Sequence, residues 1–313
     1  MIDQILRQEI FATRPPALVD VGASGGIHAR WKPIAKYAHC VAFDPDDREM
    51  KVTESSSSGF RRLTTVNRIV TDRAEEEVDF YLTSSPFCSS SLEPDMDALS
   101  PWPFQSLFIV DKKVRLKAVR LMDAMQGAGL NYIDWLKIDT QGTDLRIFKS
   151  LPDDVQRSVL VAEFEPGIID AYKGEDKLFE IMRHMREGFF MSSLEVKGVP
   201  RLKSSLVTGS GLQQRAKRGA HKVAPGWAEV AFMNLLGNSS DSRGYQLQFV
   251  FALLEKQFGF AAEVAERGKN STGEELFDEL GRYAQKKLSK ASYQWPLVGM
   301  RNRFVRAFNA VFD

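Results

Sequence analysis

Four acidic side chains lie at or near the ends of short apolar runs that predict β-strands. These side chains are the first candidates for ligand binding and proton transfer. They are Asp20, Asp44, Asp139 and Glu163. The carboxyl ends of strands in an open α/β sheet form the edge at which ligands bind. A carboxylate at that edge can accept hydrogen bonds from a ligand or take a proton from a nucleophile. Together the four acids predict one polar ligand site along the edge.

A glycine-rich turn, Asp20-Val-Gly-Ala-Ser-Gly-Gly26, follows the first predicted strand. Gly22 permits a tight turn, while Gly25 and Gly26 let the backbone approach a ligand without an intervening Cβ. We expect a helix to leave the turn, which would place the ligand at a helix N-terminus. The dinucleotide fingerprint G-x-G-x-x-G is not met, because Ser24 stands at its second glycine.

The spacing D-x-G-x-x-x-G favours S-adenosylmethionine (SAM) over NAD, because the acid before the turn can take up the amino group that SAM carries there. Asp44 ends the second predicted strand, about where an acid accepts hydrogen bonds from a ribose diol. Another nucleotide, or a plain turn with a solvated Asp44, stays an alternative. The predicted cofactor contacts are Asp20, Gly22, Ala23, Ser24, Gly25, Gly26, Asp44, Pro45, Thr71, Asp72 and Asp139.

The elements that must position these residues alternate between short runs rich in Val, Ile and Phe and amphipathic stretches. This pattern predicts an α/β fold with a doubly wound, mainly parallel, Rossmann-like sheet. We predict an N-terminal helix or arm over 1–16, a SAM-binding domain over 17–238 and a helical C-terminal extension over 239–313. The predicted strands are 17–21, 40–43, 65–70, 78–82, 135–139, 158–164 and 229–233.

The motifs, taken in order, resemble those of the FkbM-type methyltransferases, a SAM-dependent family. Residues 19–26 look like the family's first motif, and Ala42-Phe-Asp-Pro45 is similar to its F-E-P segment. Ser89-Ser-Ser-Leu92 resembles its short serine motif. Residues 135–144, Trp-Leu-Lys-Ile-Asp-Thr-Gln-Gly-Thr-Asp, are similar to its signature L-K-I-D-x-[EQ]-G-x-E. Val161-Ala-Glu-Phe-Glu-Pro166 looks like the strand that follows.

This resemblance covers residues 17 to about 195 and departs from the family pattern where Asp44 and Asp144 replace the usual Glu. It implies SAM-dependent O-methylation, a reaction that the family often carries out on sugar or polyketide hydroxyls. The residues beyond 240 lie outside the resemblance.

Methyl transfer to a hydroxyl requires a precisely held acceptor oxygen and benefits from a general base. The catalytic candidates are Asp139, Glu163 and His28. A histidine is included because the ordinary pKa of this residue type lies near working pH. Asp139 can instead cap a helix, and Glu163 can belong to a structural ion pair. Mg²⁺ could bind the carboxylates, but nothing in the spacing requires a metal. The predicted substrate contacts are Ser90, Ser91, Gln141, Asp144, Glu165, Arg215 and Arg218.

Two segments have distinctive charge. Residues 196–228 contain seven Lys or Arg and no Asp or Glu, which predicts a long basic loop, or a loop with a short hairpin. Such a loop can contact an anionic group on the acceptor or remain solvated. The helix predicted over 297–312 has an apolar face and added Arg. That face can pack on its own domain, form a homodimer or contact a membrane surface.

Composition narrows the classes of function. The 313 residues carry a formal net charge of +1 and two cysteines, so nucleic acid is not an expected partner and no disulfide framework is predicted. No signal peptide or membrane span is evident, and we expect a cytoplasmic protein. The prediction is a SAM-dependent O-methyltransferase acting on a sugar hydroxyl of a glycan or glycoconjugate precursor. A non-catalytic SAM-fold binding module and, less favoured, an NAD-type oxidoreductase are the alternatives.

Overall fold

A computed structural model describes residues 1–23, 26–45, 59–203, 206, 221–236 and 241–291. The chain divides into two compact units. The sheet unit contains Leu6–Ser204 and Val223–Gly237, and the helical unit contains Met1–Ile5, Ser205–Lys222 and Asn238–Asp313. The domain limits given above stay a prediction.

The sheet unit contains a seven-stranded sheet and a three-stranded sheet. Its strands are β1 (Ala17–Val21), β2 (His39–Phe43), β3 (Arg62–Val66), β4 (Ile69–Thr71), β5 (Glu77–Thr83), β6 (Val110–Arg120), β7 (Trp135–Ile138), β8 (Val161–Phe164), β9 (Phe189–Pro200) and β10 (Val223–Asn234). Its helices are α2 (Glu9–Thr13), α3 (Met96–Leu99), α4 (Leu121–Gly127), α5 (Asp144–Lys149), α6 (Asp153–Ser158) and α7 (Leu178–Met185), and α1 (Ile2–Leu6) precedes them in the chain.

The strand order in the large sheet is β3-β2-β1-β7-β8-β10-β9. The first five strands of that order run parallel, and β10 runs antiparallel to both β8 and β9. The prediction of a mixed α/β fold with a mostly parallel sheet is therefore confirmed. The doubly wound arrangement of helices stays a prediction.

The two strands that carry the first predicted motifs are buried along their whole length. Every residue of β1 and β2 is buried, because a parallel strand covered on both faces must be apolar almost throughout. Val19, Val41, Leu136 and Phe164 belong to one core cluster that unites β1, β2, β7 and β8. This shared core holds the carboxyl ends of the four strands next to one another.

The three-stranded sheet changes two of the predicted strands. The order is β4-β6-β5, and the predicted strand 65–70 is wrong as a single element because β3 and β4 belong to different sheets. The predicted strand 78–82 is confirmed as β5. Strand β6 was not predicted, although Val114, Leu116 and Ala118 alternate with charged residues at the period of a half-buried strand.

The helix expected after the glycine turn is also wrong. The described residues there form two single 3₁₀ turns, Ala29–Trp31 and Ala35–Tyr37. Pro33 lies between them and has no backbone N–H to donate, which opposes a continuous helix. Trp31 and Ile34 are fully buried, so packing holds this segment. The argument from a helix N-terminus therefore does not apply to the turn.

The basic segment 196–228 is less of a loop than predicted. Its two ends belong to β9 and β10, which pair in antiparallel register from Phe189↔Asn234 to Pro200↔Val223. The hairpin is therefore long rather than short. Lys197 lies within it, where its ammonium contacts Glu195 at 2.6 Å and Glu229 at 3.4 Å. Acidic partners thus come from strand neighbours just outside the basic segment.

The helical unit contains α8 (Ser242–Leu254), α9 (Phe258–Thr272) and a helical run over 276–291. Phe277 packs so closely on Gly268 that a Cβ there would lie 2.4 Å from its ring. In the ranges described above, no helix is both long and apolar enough to cross a membrane. The extension as a separate domain stays a prediction, and the helix predicted over 297–312 lies outside the described residues.

A buried asparagine generates the first testable prediction. Asn234 Nδ2 donates to the carbonyl oxygens of Arg157 and Val159 at 2.8 Å each, and its Oδ1 accepts from the Leu236 amide at 2.8 Å. Asn234→Ala should lower the free energy of unfolding by about 2–4 kcal/mol in urea titrations, because buried backbone groups lose their partners. Exposed Asn131 is the control, and Asn131→Ala should change the free energy of unfolding by less than about 0.5 kcal/mol. Equal effects would contradict the assignment.

Candidate functional site

A cavity of about 690 Å³ lies at the carboxyl ends of four adjacent strands. Gly22 follows β1, Asp44 follows β2, Asp139 follows β7 and Glu165 follows β8, and all four residues line it. From β1 the chain adds β2 and then β3 on one side of β1, and the next strand of this sheet, β7, lies on the other side of β1. Ligand clefts of open α/β sheets form where the strand order reverses in this way.

Gly22 sets the spacing between the first two of these elements. Its φ is +89°, and a Cβ at this position would lie 2.1 Å from the carbonyl oxygen of Asp139. The amides of Gly22 and Ala23 donate to the Phe43 carbonyl at 3.0 and 2.9 Å, and the Asp139 amide donates to the Val21 carbonyl at 2.9 Å. The turn therefore ties the ends of β1, β2 and β7 together.

Asp20 lies beside this turn but not on the cavity wall. It is buried, its Oδ2 accepts from the His28 amide at 3.1 Å, and its Oδ1 accepts from Lys137 Nζ at 3.4 Å. Both carboxylate oxygens thus hold protein groups. The predicted contact of Asp20 with the amino group of SAM stays a prediction, and this geometry does not favour it.

Lys137 is a functional candidate that the sequence analysis missed. It pairs in strand register with Asp20 on one side and Glu163 on the other, and its Nζ lies 4.0 Å from Asp139 Oδ2. Burial alone would lower the pKa of Lys137, but the surrounding carboxylates more than offset this and raise it above its ordinary value. The available signal was a lysine within the otherwise apolar run Trp135–Ile138.

Two of the three catalytic candidates contact each other. Glu163 Oε1 accepts from Trp135 Nε1 at 2.6 Å and lies 3.5 Å from His28 Nε2. Burial raises the pKa of Glu163, against the hydrogen bond from Trp135. Neither His28 nor Glu163 is among the residues that line the cavity. Their catalytic roles stay predictions, and Asp139 is the candidate that the structure places in the cavity.

Asp139 forms a carboxyl pair with Glu165. Gln141 Nε2 donates to Asp139 Oδ1 at 2.7 Å. Burial, followed by the charge of Asp139 and a hydrogen bond with it, raises the pKa of Glu165 to about 8. At neutral pH Glu165 therefore retains its proton, and it becomes a base slightly above neutrality. Two cavity-lining carboxyls with these properties can accept a proton from a bound hydroxyl.

The loop after β7 is strained and is held from two directions. Gln141 has a φ of +57°, uncommon for a residue with a side chain. Ser90 Oγ donates to its carbonyl at 2.8 Å. Tyr172 Oη donates to the Cys88 carbonyl at 2.9 Å and lies 3.2 Å from Gln141 Oε1. Tyr172 belongs to none of the sequence motifs and was therefore not predicted as a site residue.

Only some of the predicted substrate contacts line the cavity. Gln141, Glu165 and Ser91 line the cavity, whereas Ser90 and Asp144 do not. The Asp144 carboxylate accepts from the Thr140 amide at 3.0 Å and the Glu165 amide at 2.9 Å. Burial raises the pKa of Asp144 to about 6. This geometry favours a structural role for Asp144, and its substrate role stays a prediction.

Pro45 lines the cavity, but the other predicted cofactor contacts near the strand ends, Ala23, Gly26, Thr71 and Asp72, do not. Four predicted residues, Ser24, Gly25, Arg215 and Arg218, lie outside the described residues, so the idea of an anionic acceptor stays a prediction. Over the part of the chain that the structure describes, no group of three or more His, Cys, Asp or Glu could hold a metal ion.

Gly22 gives a prediction for this site. Gly22→Ala should lower the free energy of unfolding by at least roughly 2 kcal/mol, because the new Cβ meets the Asp139 carbonyl in a left-handed backbone conformation. Gly127 is the matched control, since a Cβ there meets nothing within 4 Å, and Gly127→Ala in α4 should be neutral or slightly stabilising. Urea titration of both variants decides, and a Gly22→Ala protein as stable as the control would disprove the contact.

The residues of this site fall within a region that is similar to a known protein family. A family model described as Methyltransferase FkbM domain matches residues 20–191. The match includes the glycine turn, Asp44, Asp139, Glu165 and Tyr172. A search of curated proteins and a search of solved structures each found no match. Because the matched range exceeds half of the 313 residues, the chain belongs to the FkbM methyltransferase domain family.

Proposed function

We propose that this protein is a SAM-dependent O-methyltransferase whose acceptor is a hydroxyl group, and that the hydroxyl belongs to a sugar-containing precursor. The observation that carries the proposal is the composition of one cavity. The cavity is lined by Asp44, whose carboxylate can bind a nucleoside, and by Asp139 and Glu165, which can accept a proton. A methyl donor and a hydroxyl acceptor require these two kinds of group side by side.

The residues around Asp44 suit the nucleoside part of SAM. Asp44 is buried at the end of β2 and faces the cavity, where its carboxylate can accept hydrogen bonds from a ribose diol. Phe43, Ile69 and Val70 line the same region and offer apolar surface to a purine ring. Gly22 leaves room for close backbone approach. The donor set therefore fits SAM, with Asp44 holding the diol.

Bound SAM supplies a methyl group carried on a positively charged sulfur. The protein's task is then to hold the acceptor oxygen in line with that group and to take its proton as the new O–CH₃ bond forms and the S–CH₃ bond breaks. We assign the proton to Glu165, whose pKa of about 8 lies near working pH. Asp139 contacts the same hydroxyl and raises the pKa of Glu165.

Asp44 and Asp72 were both predicted as cofactor contacts, and their substitution tells which of them binds SAM. Asp44→Ala should weaken SAM binding roughly tenfold or more, because a buried acceptor for the diol is lost. Asp72→Ala should leave the affinity unchanged, since Asp72 does not line the cavity. Calorimetric titration with SAM measures both. Equal affinity for SAM in the wild type and Asp44→Ala would remove Asp44 from the cofactor site.

The second prediction concerns pH. Glu165 acts as a base only after losing its proton, so kcat should rise with pH and level off above about 8. Glu165→Gln should lower kcat by about 10²–10⁴-fold and abolish this pH step. Asp139→Asn should move the step to lower pH, because it removes the negative charge that raises the Glu165 pKa.

The pH profiles of the wild type and both variants, recorded with saturating SAM, form one experiment. If Asp139→Asn eliminates turnover at every pH while Glu165→Gln keeps the step, Asp139 is the base and our assignment is wrong. SAM affinity of each variant is the control, because neither substitution removes the Asp44 carboxylate.

A further inference from the structure

We propose that the acceptor is amphipathic: its hydroxyl lies at Asp139 and Glu165, and an attached apolar body lies along an aromatic wall of the same cavity. This inference rests on the proposed function and specifies its substrate class. The aromatic wall, so called for its four rings, consists of Phe87, Phe104, Phe108 and Tyr172 together with the aliphatic Leu107, and all five line the cavity.

The inner part of the wall begins at the carboxyl pair. The ring centroids of Phe108 and Tyr172 are 5.5 Å apart, and those of Phe104 and Phe108 are 5.9 Å apart. Tyr172 Oη lies 3.2 Å from Gln141 Oε1, and Gln141 Nε2 donates to Asp139. A hydroxyl at Asp139 would therefore have the wall close by, beyond the Gln141 amide and the Tyr172 hydroxyl.

The outer part of the wall is open to solvent. Phe87 is 60% exposed and Leu107 is 45% exposed, and the Ser85 amide donates to the Leu107 carbonyl at 3.1 Å, which holds their segments together. Two large apolar side chains facing water at a cavity wall gain free energy when a ligand covers them. A bare sugar would offer them mainly hydroxyl groups, whereas an apolar body would cover them.

The wall and the Asp44 end of the proposed cofactor site come from different parts of the sheet unit. Asp44 and Gly22 follow β2 and β1, on one side of β7 in the strand order. Four wall residues lie between β5 and β6, and Tyr172 lies in the segment after β8, the strand on the other side of β7. The apolar body can therefore lie along the wall while Asp44 holds the nucleoside.

Binding of simple alcohols tests the inference without turnover. The probes are hexan-1-ol, octan-1-ol and decan-1-ol, titrated against the full chain and followed by saturation-transfer NMR. The affinity should rise about two- to fourfold per added methylene, because each methylene becomes buried. An affinity independent of chain length would overturn the proposal.

Matched variants locate the binding. Phe87→Gln and Leu107→Gln should each weaken octan-1-ol binding by roughly three- to tenfold. Their controls are Phe179→Gln and Ile109→Gln, since Phe179 is 65% exposed and Ile109 is 48% exposed but neither lines the cavity. Circular dichroism checks that all four variants fold. Equal losses in variants and controls would overturn the proposal.

A parallel calorimetric titration with SAM distinguishes the two levels of proposal. If SAM binds and the alcohols show no dependence on chain length, the amphipathic acceptor is disproved and the methyltransferase proposal stands. If SAM does not bind but the alcohols show the expected dependence and variant pattern, the SAM-dependent function fails. The apolar binding site itself would then be supported.

Discussion

The site depends on one half-buried ammonium group set among carboxylates. Lys137 reaches Asp20 and Asp139 from the middle of a parallel sheet, and Glu163 lies opposite it in register. Carboxylates moved out of water favour their protonated forms unless a positive charge compensates. Lys137 provides that charge where β1, β7 and β8 meet. Beside it, Asp20 accepts from the His28 amide, and Asp139 lines the cavity.

Around this charge, the structure uses rigid contacts rather than a helix terminus. Gly22 lies against the Asp139 carbonyl, and Ser90 holds Gln141 in its left-handed conformation. A residue in a rare backbone region persists when its surroundings determine it from several sides. The loop that carries the Asp139 carboxylate is therefore held by contacts from two other segments of the chain.

The sequence allowed prediction of the strand ends and of the motif order, because burial on both faces forces apolar runs and ligand edges collect acids. It also allowed Asp44 and Asp139 to be predicted as site residues, and the structure places both on the cavity. The glycine turn led to a wrong expectation of a helix, since the pattern of residues 26–38 does not show that packing of Trp31 and Ile34 replaces helical hydrogen bonds.

Other features could not be predicted from local pattern. Glu163 and Glu165 have the same type and lie two residues apart, yet one contacts Trp135 and the other faces the cavity. The difference arises from the strand register and from the position at which β8 ends. Both depend on β7 and β10, the strands that pair with β8 but lie apart from it in the sequence. The aromatic wall was missed because its residues come from three separate stretches, around Phe87, over 104–108 and at Tyr172, which only the fold brings to one cavity.

The wall also has a consequence for how this protein can vary. Phe87, Phe104, Leu107 and Phe108 lie between β5 and β6, in a segment that contributes no strand to the seven-stranded sheet. Substitutions there reshape the space beside the carboxyl pair without changing the register of β1, β2, β7 or β8. Under the proposed function, acceptor preference can therefore change through substitutions in this segment while the strand ends that carry Asp44, Asp139 and Glu165 stay the same.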